Sequence, residues 1–163
     1  MQVNASVRRA VDVPTFEVVT LVRASSERCF DFSRDIDLHQ ESMAASGECA
    51  IAGRTSGLIG KDEELTWRAR HFGVVHKHQA RITEYNRPVH FRDVMMRGRF
   101  KRFEHDHFFE HDAGITTMRD VVTFESPLGP LGRLVDAMVL SRYLEKLIRH
   151  RSQVVKLAAE RSN

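Results

Sequence analysis

Hydrophobic and polar residues alternate with a period of two along much of this chain. From Thr15 to Arg23, the side chains of Phe16, Val18, Thr20 and Val22 share one side while Glu17 and Arg23 take the other, which predicts a half-buried β-strand. Glu63 to Phe72 alternates again, with Leu65, Trp67, Ala69 and His71 set against an outer row of Glu64, Thr66, Arg68 and Arg70. Further strands are predicted over Glu48 to Ala52, Val74 to Tyr85, Val89 to Arg97, Lys101 to His111 and Thr116 to Glu125. Turn signals separate them: the Gly-rich stretch Gly53 to Asp62, Gly73, Asn86-Arg87-Pro88, Gly98 and Asp112-Ala113-Gly114.

The period changes in two places. Ser25 or Ser26 is placed to cap a short helix over Glu27 to Ser33, and Asp35 or Asp37 to start a second one ending near Ala44. Near the end, Leu134, Ala137, Leu140, Leu144, Leu147, Val154 and Ala158 recur at spacings of three, four or seven, the stripe of one long amphipathic helix. Pro127, Gly129, Pro130 and Gly132 break the chain before it. Gly129 to Gly132 lacks the Lys and Ser/Thr of a phosphate loop and reads as a hinge or a rigid connection. An antiparallel meander and one long helix bury both apolar faces when the sheet curls and the helix lies in its concavity. We expect a mobile leader over residues 1–14 and a single domain over 15–163.

The inward positions hold more than hydrocarbon. Phe103, His105, His107 and Phe109 fall at alternate positions of one predicted strand and share a face. Buried imidazoles need hydrogen-bond partners, so this face reads as the wall of a cavity. Pairing inward residues across each turn sets Asp93 opposite His105, Asp120 opposite His107, and Trp67 opposite His78, with His76 on the same face as His78. A carboxylate beside an imidazole fixes its tautomer and raises its pKa, which makes a general acid or base near neutral pH. The same residues also fit a purely structural reading, in which each Asp satisfies its His within a partly polar core. The His76/His78 and His105/His107 pairs have metal-like spacing, but another strand separates them and the nearby acids are already paired, so no metal is expected. His39, His90, His111 and His150 read as surface or loop residues.

Charge and cysteine content narrow the partners. The net charge of +3 comes from the tail after Gly129, which has seven Lys or Arg against three acids. That tail lacks the interleaved aromatics of a nucleic-acid surface and reads as a solvated helix face. No apolar run reaches the ~20 residues of a membrane helix, and the start has no signal-like apolar segment, so a soluble, cytoplasmic protein without stable membrane insertion is expected. Cys29 and Cys49 lack metal spacing and are expected as free thiols.

Three segments carry a family resemblance: Ala24-Ser25-Ser26-Glu27-Arg28-Cys29-Phe30-Asp31-Phe32, Thr66-Trp67-Arg68-Ala69-Arg70-His71-Phe72-Gly73, and Pro127-Leu128-Gly129-Pro130-Leu131-Gly132. In this order, and with this sequence of elements, the chain from Thr15 to about Ala158 resembles the START-like superfamily, within it the bacterial polyketide cyclase/dehydrase and lipid-transport group called SRPBCC. The resemblance implies an α+β helix-grip fold. In it a seven-stranded curved antiparallel sheet wraps round a long C-terminal helix, with two short helices after strand one. It also implies an apolar cavity for lipids, polyketides or similar molecules, and no catalytic set that transfers by motif.

The expected function is therefore binding of a hydrophobic small molecule, as carrier, sensor or storage protein, without cofactor. The expected wall comprises Trp67, His78, Phe91, Met95, Phe103 and His105, continued by His107, Phe109, Met118, Phe124 and Met138. The alternative is a cyclase or dehydratase in which His105 or His107 moves protons and Asp93 or Asp120 orients it.

Overall fold

The computed structural model describes residues 13–126 and 139–161. Strand β1 (Thr15–Val22) is followed by helices α1 (Ser26–Ser33) and α2 (Ile36–Ser42), a 3-10 turn (Ala44–Ser46) and strand β2 (Cys49–Gly53). Strands β3 (Glu64–His71), β4 (Val74–Asn86), β5 (His90–Arg97), β6 (Arg102–Asp112) and β7 (Ile115–Glu125) follow, and then helix α3 (Ser141–Arg161). The expected leader lies outside the described residues up to position 12, while the Pro14 carbonyl accepts a hydrogen bond from Phe124 N at 3.1 Å. The expected hinge at Gly129 to Gly132, with Leu134, Ala137 and Met138, also lies outside them.

All seven strands form one antiparallel sheet in the order β1-β7-β6-β5-β4-β3-β2, a meander whose last strand pairs with the first. Irregularities at Gln79/Ala80 and Ile82/Glu84 in β4, and at Ala50/Ala52 in β2, bend it. Two glycines make the β2 to β4 side possible. Gly53 has φ of +73°, and a Cβ there would sit 2.1 Å from the Glu64 carbonyl oxygen. Gly73 follows Phe72 in a two-residue hairpin with φ values of +77° and +51°, the left-handed pair that matches strand twist.

The short helices start where local chemistry caps them. The Ser25 hydroxyl accepts from Arg28 N at 3.4 Å, and one Asp35 carboxylate oxygen accepts from Asp37 N and Leu38 N at 2.9 and 3.2 Å. Helix α1 lays Phe30 on the sheet, where its ring meets Tyr85, Phe91 and Phe109 at 5.2, 5.1 and 5.4 Å between centroids. Helix α3 packs against β1, α1 and α2. Its buried residues are Ser152, Val155 and Ala159. This corrects the expected stripe at its C-terminal end: Val154 and Ala158 are only half-buried, because the helix turns its next positions toward the core.

Three cations of the basic helix have partners within the molecule. Lys156 Nζ donates to the Leu21 carbonyl at 2.7 Å, Arg151 donates to the Ser33 carbonyl, and Arg149 pairs with Glu145 at 2.6 Å. On the outer face of the sheet, cross-strand ion pairs such as Arg92–Asp106 and Arg81–Glu64 keep the surface polar. Cys29 and Cys49 are free thiols, and burial pushes Cys29 up to about 11, which keeps it protonated and unreactive.

Candidate functional site

A cavity of about 460 Å³ opens between the concave face of the sheet and α3. Its floor is built by alternate residues of β3 to β6: Leu65, Trp67, Ala69, His78, Ala80, Ile82, Phe91 and Phe103. Its roof comes from Leu144, Leu147 and Ile148 of α3, and its sides from Ile36, His39 and Met43 of the α2 region. Most of this lining is hydrocarbon or aromatic. The polar exceptions include Arg34, Asp35, Lys77, Arg99 and Arg151, and two groups that contain histidines.

The first lies at the centre of the sheet, where β5, β6 and β7 bring Asp93, His105, His107 and Asp120 together. The register is as expected, Asp93 opposite His105 and Asp120 opposite His107. The hydrogen bonds, however, run along the diagonals. His105 Nε2 lies 3.0 Å from Asp120 Oδ1, and His107 Nε2 lies 3.1 Å from Asp93 Oδ2. His107 Nδ1 is also 2.8 Å from Asp120 Oδ1, and His105 Nδ1 is 3.8 Å from Asp93 Oδ2. Instead of two separate pairs, the four side chains form a closed ring in which each acid faces both imidazoles. Strand twist brings diagonal neighbours within reach of long side chains, which a flat register diagram omits. The imidazole centroids stand 3.8 Å apart, and Phe91 stacks on His107 at 4.1 Å. Ser152 of α3 reaches in and donates to Asp120 Oδ2 at 2.8 Å.

Burial sets the charge of each member. His105 and His107 are 3% and 2% exposed and Asp120 is 7% exposed. Burial lowers the pKa of His105, and the charge of His107 beside it lowers it further, so its ring is mostly neutral at pH 7. His107 is also pulled down by burial, but its contacts to Asp120 and Asp93 outweigh that and raise it above the ordinary histidine value. Burial alone would raise both acids. Asp93 is instead held well below the carboxylate range by the hydrogen bond to His107 and the charges of His105 and His107, and Asp120 by hydrogen bonds to both rings. Both acids are therefore ionised, His105 is mostly neutral, and His107 is the ring that holds a second proton more readily. Asp93 and the neutral His105 border the cavity.

The second polar place is the side wall. His39 Nε2 lies 2.6 Å from Glu48 Oε1, and the His39 ring stacks on Trp67 at 4.2 Å and 21°. His71 Nδ1 contacts the Tyr143 hydroxyl at 2.8 Å, and His78 meets Phe103 edge-on at 5.5 Å. Burial lowers the pKa values of His39, His71 and His78. Glu48 stays ionised: burial raises its pKa, but the hydrogen bond to His39 and the charges of His39, His71 and His78 bring it down.

The cavity thus receives Trp67, His78, Phe91, Phe103 and His105 from the expected wall. Five other expected members lie beside or behind it. Phe109 packs on Phe30 and Phe91, Phe124 packs on Phe16 and Phe100, and Met118 is 3% exposed in the main core. His107 is sealed behind Phe91 and Asp93, and Met95 lies against the turn at Gly98. Alternation assigns a face but not a position along the strand, and α1 covers only part of the concavity. Met138 lies outside the described residues. His39, expected at the surface, instead has a side chain 14% exposed that faces the cavity. Ile36, His39 and Met43 lie at helical spacing on α2, and that is the signal the sequence offers for it. Glu48, Tyr143, Arg151 and Ser152 are additions that the strand pattern does not reach. Of these only Ser152 carries a signal, its spacing from Val155 and Ala159.

Asp93, His105 and His107 also offer donor atoms within 4.8 Å of one another, the grouping among the described residues that could hold a metal ion. No described helix is long and apolar enough to cross a membrane.

No protein-family model matches the sequence, and no curated protein matches it. Solved structures do resemble it. The protein TTHA0849 from Thermus thermophilus is 17% identical with a TM-score of 0.69, over 90% of this chain and 99% of that one. A START superfamily protein from Mycobacterium smegmatis is 14% identical with a TM-score of 0.67, over 91% of this chain and 99% of that one. The di-domain ARO/CYC StfQ of the steffimycin biosynthetic pathway is 12% identical with a TM-score of 0.72, over 91% of this chain and 51% of that one. The strand order, the two short helices after β1 and the closing helix agree with these likenesses, and the chain has the START-like, helix-grip fold.

Proposed function

We propose that this protein binds a hydrophobic small molecule, a lipid, polyketide or similar compound, between the sheet and α3, as a carrier, sensor or storage protein of the cytoplasm. The observation that carries the reading is the cavity itself. About 460 Å³ of space under an apolar lining is within the range of small-molecule pockets, and a well-packed core keeps no such space. Transfer of apolar ligand surface out of water supplies about 25 cal/mol per Å². His39, His78, Asp93 and His105 then orient whatever polar group the ligand carries. The START superfamily protein and the ARO/CYC domain among the similar structures support the same reading.

The test is extraction and mass spectrometry of purified protein, with displacement of an environment-sensitive dye. The dye should bind wild type and fail to bind Ala69→Phe, which fills the floor while the chain stays folded. Equal binding by both proteins would remove the cavity from the account.

One observation favours a second reading, a cyclase- or dehydratase-type enzyme. The neutral His105 borders the cavity and is backed by two carboxylates, the arrangement of a general base beside a carbonyl substrate. It predicts that His105→Gln loses turnover and retains dye binding.

A further inference from the structure

Asp120 Oδ1 receives one nitrogen from each imidazole, Nε2 of His105 at 3.0 Å and Nδ1 of His107 at 2.8 Å. An ionised carboxylate only accepts, so both of these nitrogens carry hydrogen. The opposite nitrogens, His105 Nδ1 and His107 Nε2, both face Asp93 Oδ2, at 3.8 and 3.1 Å. In the metal-free site a proton on His107 Nε2 makes the hydrogen bond to Asp93; without that proton the lone pairs of His105 Nδ1 and His107 Nε2 and the Asp93 carboxylate converge, a donor set that a metal ion can take in the proton's place.

The geometry points to a metal: we propose that Asp93, His105 and His107 bind one divalent transition ion of the zinc class. An ion about 2.1 Å from each donor holds tetrahedral donors about 3.4 Å apart. The two separations to Asp93 Oδ2, 3.1 and 3.8 Å, bracket that spacing. Two imidazoles and one carboxylate suit zinc or iron(II) better than magnesium or calcium, which prefer all-oxygen sets. Around them stands the outer support of a histidine metal site. Asp120 holds the far nitrogen of both rings, Ser152 holds Asp120 at 2.8 Å, and Phe91 stacks on His107 at 4.1 Å. Asp93 and His105 border the cavity, so the remaining coordination position faces it and is open to a ligand oxygen. From the strand pattern no metal is expected, because another strand separates His105/His107 from His76/His78 and the nearby acids are already paired. The site proposed here instead takes its third donor from the adjacent strand.

The experiment uses the whole chain after dialysis against a chelator. Calorimetry with zinc should find one ion per chain, and copper(II) bound in its place should show electron-spin coupling to two imidazole nitrogens. His105→Gln, His107→Gln and Asp93→Asn should each weaken zinc binding by about 100-fold or more. Asp120→Asn should weaken it by about 10- to 100-fold through the outer contacts. His111→Ala and His150→Ala, at exposed positions, should leave it unchanged. Absence of stoichiometric uptake by wild type would overturn the proposal, and so would uptake that survives His105→Gln but is lost in His71→Gln. Should a histidine variant fail to fold, the copper spectrum of wild type decides, since coupling to fewer than two nitrogens also overturns it. None of these readouts needs an organic ligand, so the outcome is independent of the cavity's occupant.

Discussion

The protein has two groups of histidines on one concave surface, and they are built differently. His105 and His107 sit at the centre of the sheet with two carboxylates, and every member is tied to at least two others. His39, His71, His76 and His78 surround the side wall with a single carboxylate, Glu48, bonded to His39 alone. The difference follows from strand position. Residues of β5, β6 and β7 are fixed on both sides by neighbouring strands, so their side chains meet in a register that cannot slip. The outer group draws on α2, on the stretches of β3 and β4 holding His71, His76 and His78, which pair with each other and with no further strand, and on one contact from α3. A buried network must be complete to be tolerated, whereas a cavity wall can keep spare hydrogen-bonding capacity for a ligand.

Breaking the central ring is the most severe test of this contrast. Asp120→Ala removes the acceptor for both imidazoles and for Ser152. It leaves two buried imidazoles with Asp93 as the one acid facing them, a change expected to cost about 3–5 kcal/mol. Urea unfolding of metal-free protein measures it. A loss near 1 kcal/mol would mean that the ring relaxes as freely as the wall does.

The matching cut in the outer group should be milder. Glu48→Ala leaves His39 without its acid, but that ring remains stacked on Trp67 and faces a cavity that can supply water. About 1–3 kcal/mol is expected, the cost of one unmet hydrogen bond at a partly buried site. Equality of the two losses in the same urea series would erase the distinction between ring and wall.

Replacing Trp67 by Phe keeps an aromatic ring under His39 while reducing its area, and should cost about 0.5–1.5 kcal/mol. It should also shift dye affinity, because Trp67 lines the cavity. An unchanged affinity would place the bound dye elsewhere along the wall.

The two groups are also unequally legible in the sequence. Strict alternation on β3 to β7, with short turns between strands, is enough to place Asp93 opposite His105 and Trp67 opposite His78. It cannot show that bonds cross the diagonal, because twist is a property of the assembled sheet. Nor can it show which inward residues α1 seals: Phe109 and Met118 read the same as Phe103 until Phe30 is placed. His39 and Glu48 come from a seven-residue helix and from the residue just before β2, nine positions apart, and nothing local announces that they meet. The parts fixed by neighbouring strands are readable, and the parts made by packing one element over another are not.

The smallest effect expected is one of pH. Burial lowers the pKa of His78, and His39 nearby adds to this; Asp93 and Glu48 oppose it and do not prevail. His39 is likewise lowered, by burial and by Arg151, against the pull of Glu48 and Asp93. For such groups the unfolded chain binds protons more readily than the folded one. The unfolded state therefore gains relative stability as pH drops below about 6.5, and folding stability declines toward the lowered folded pKa. Above that pH the effect is absent. His78→Gln removes one contributor without breaking a side-chain hydrogen bond, since His78 contacts Phe103 through ring packing. Its stability should trail or match wild type at pH 8, and the gap should close or reverse by pH 5, in urea midpoints measured on metal-free protein. A gap that widens toward acid would mean that His78 is protonated in the folded state and paired with Asp93 or Glu48. The wall would then be a charged network like the central ring, and the contrast between the two groups would be one of exposure only.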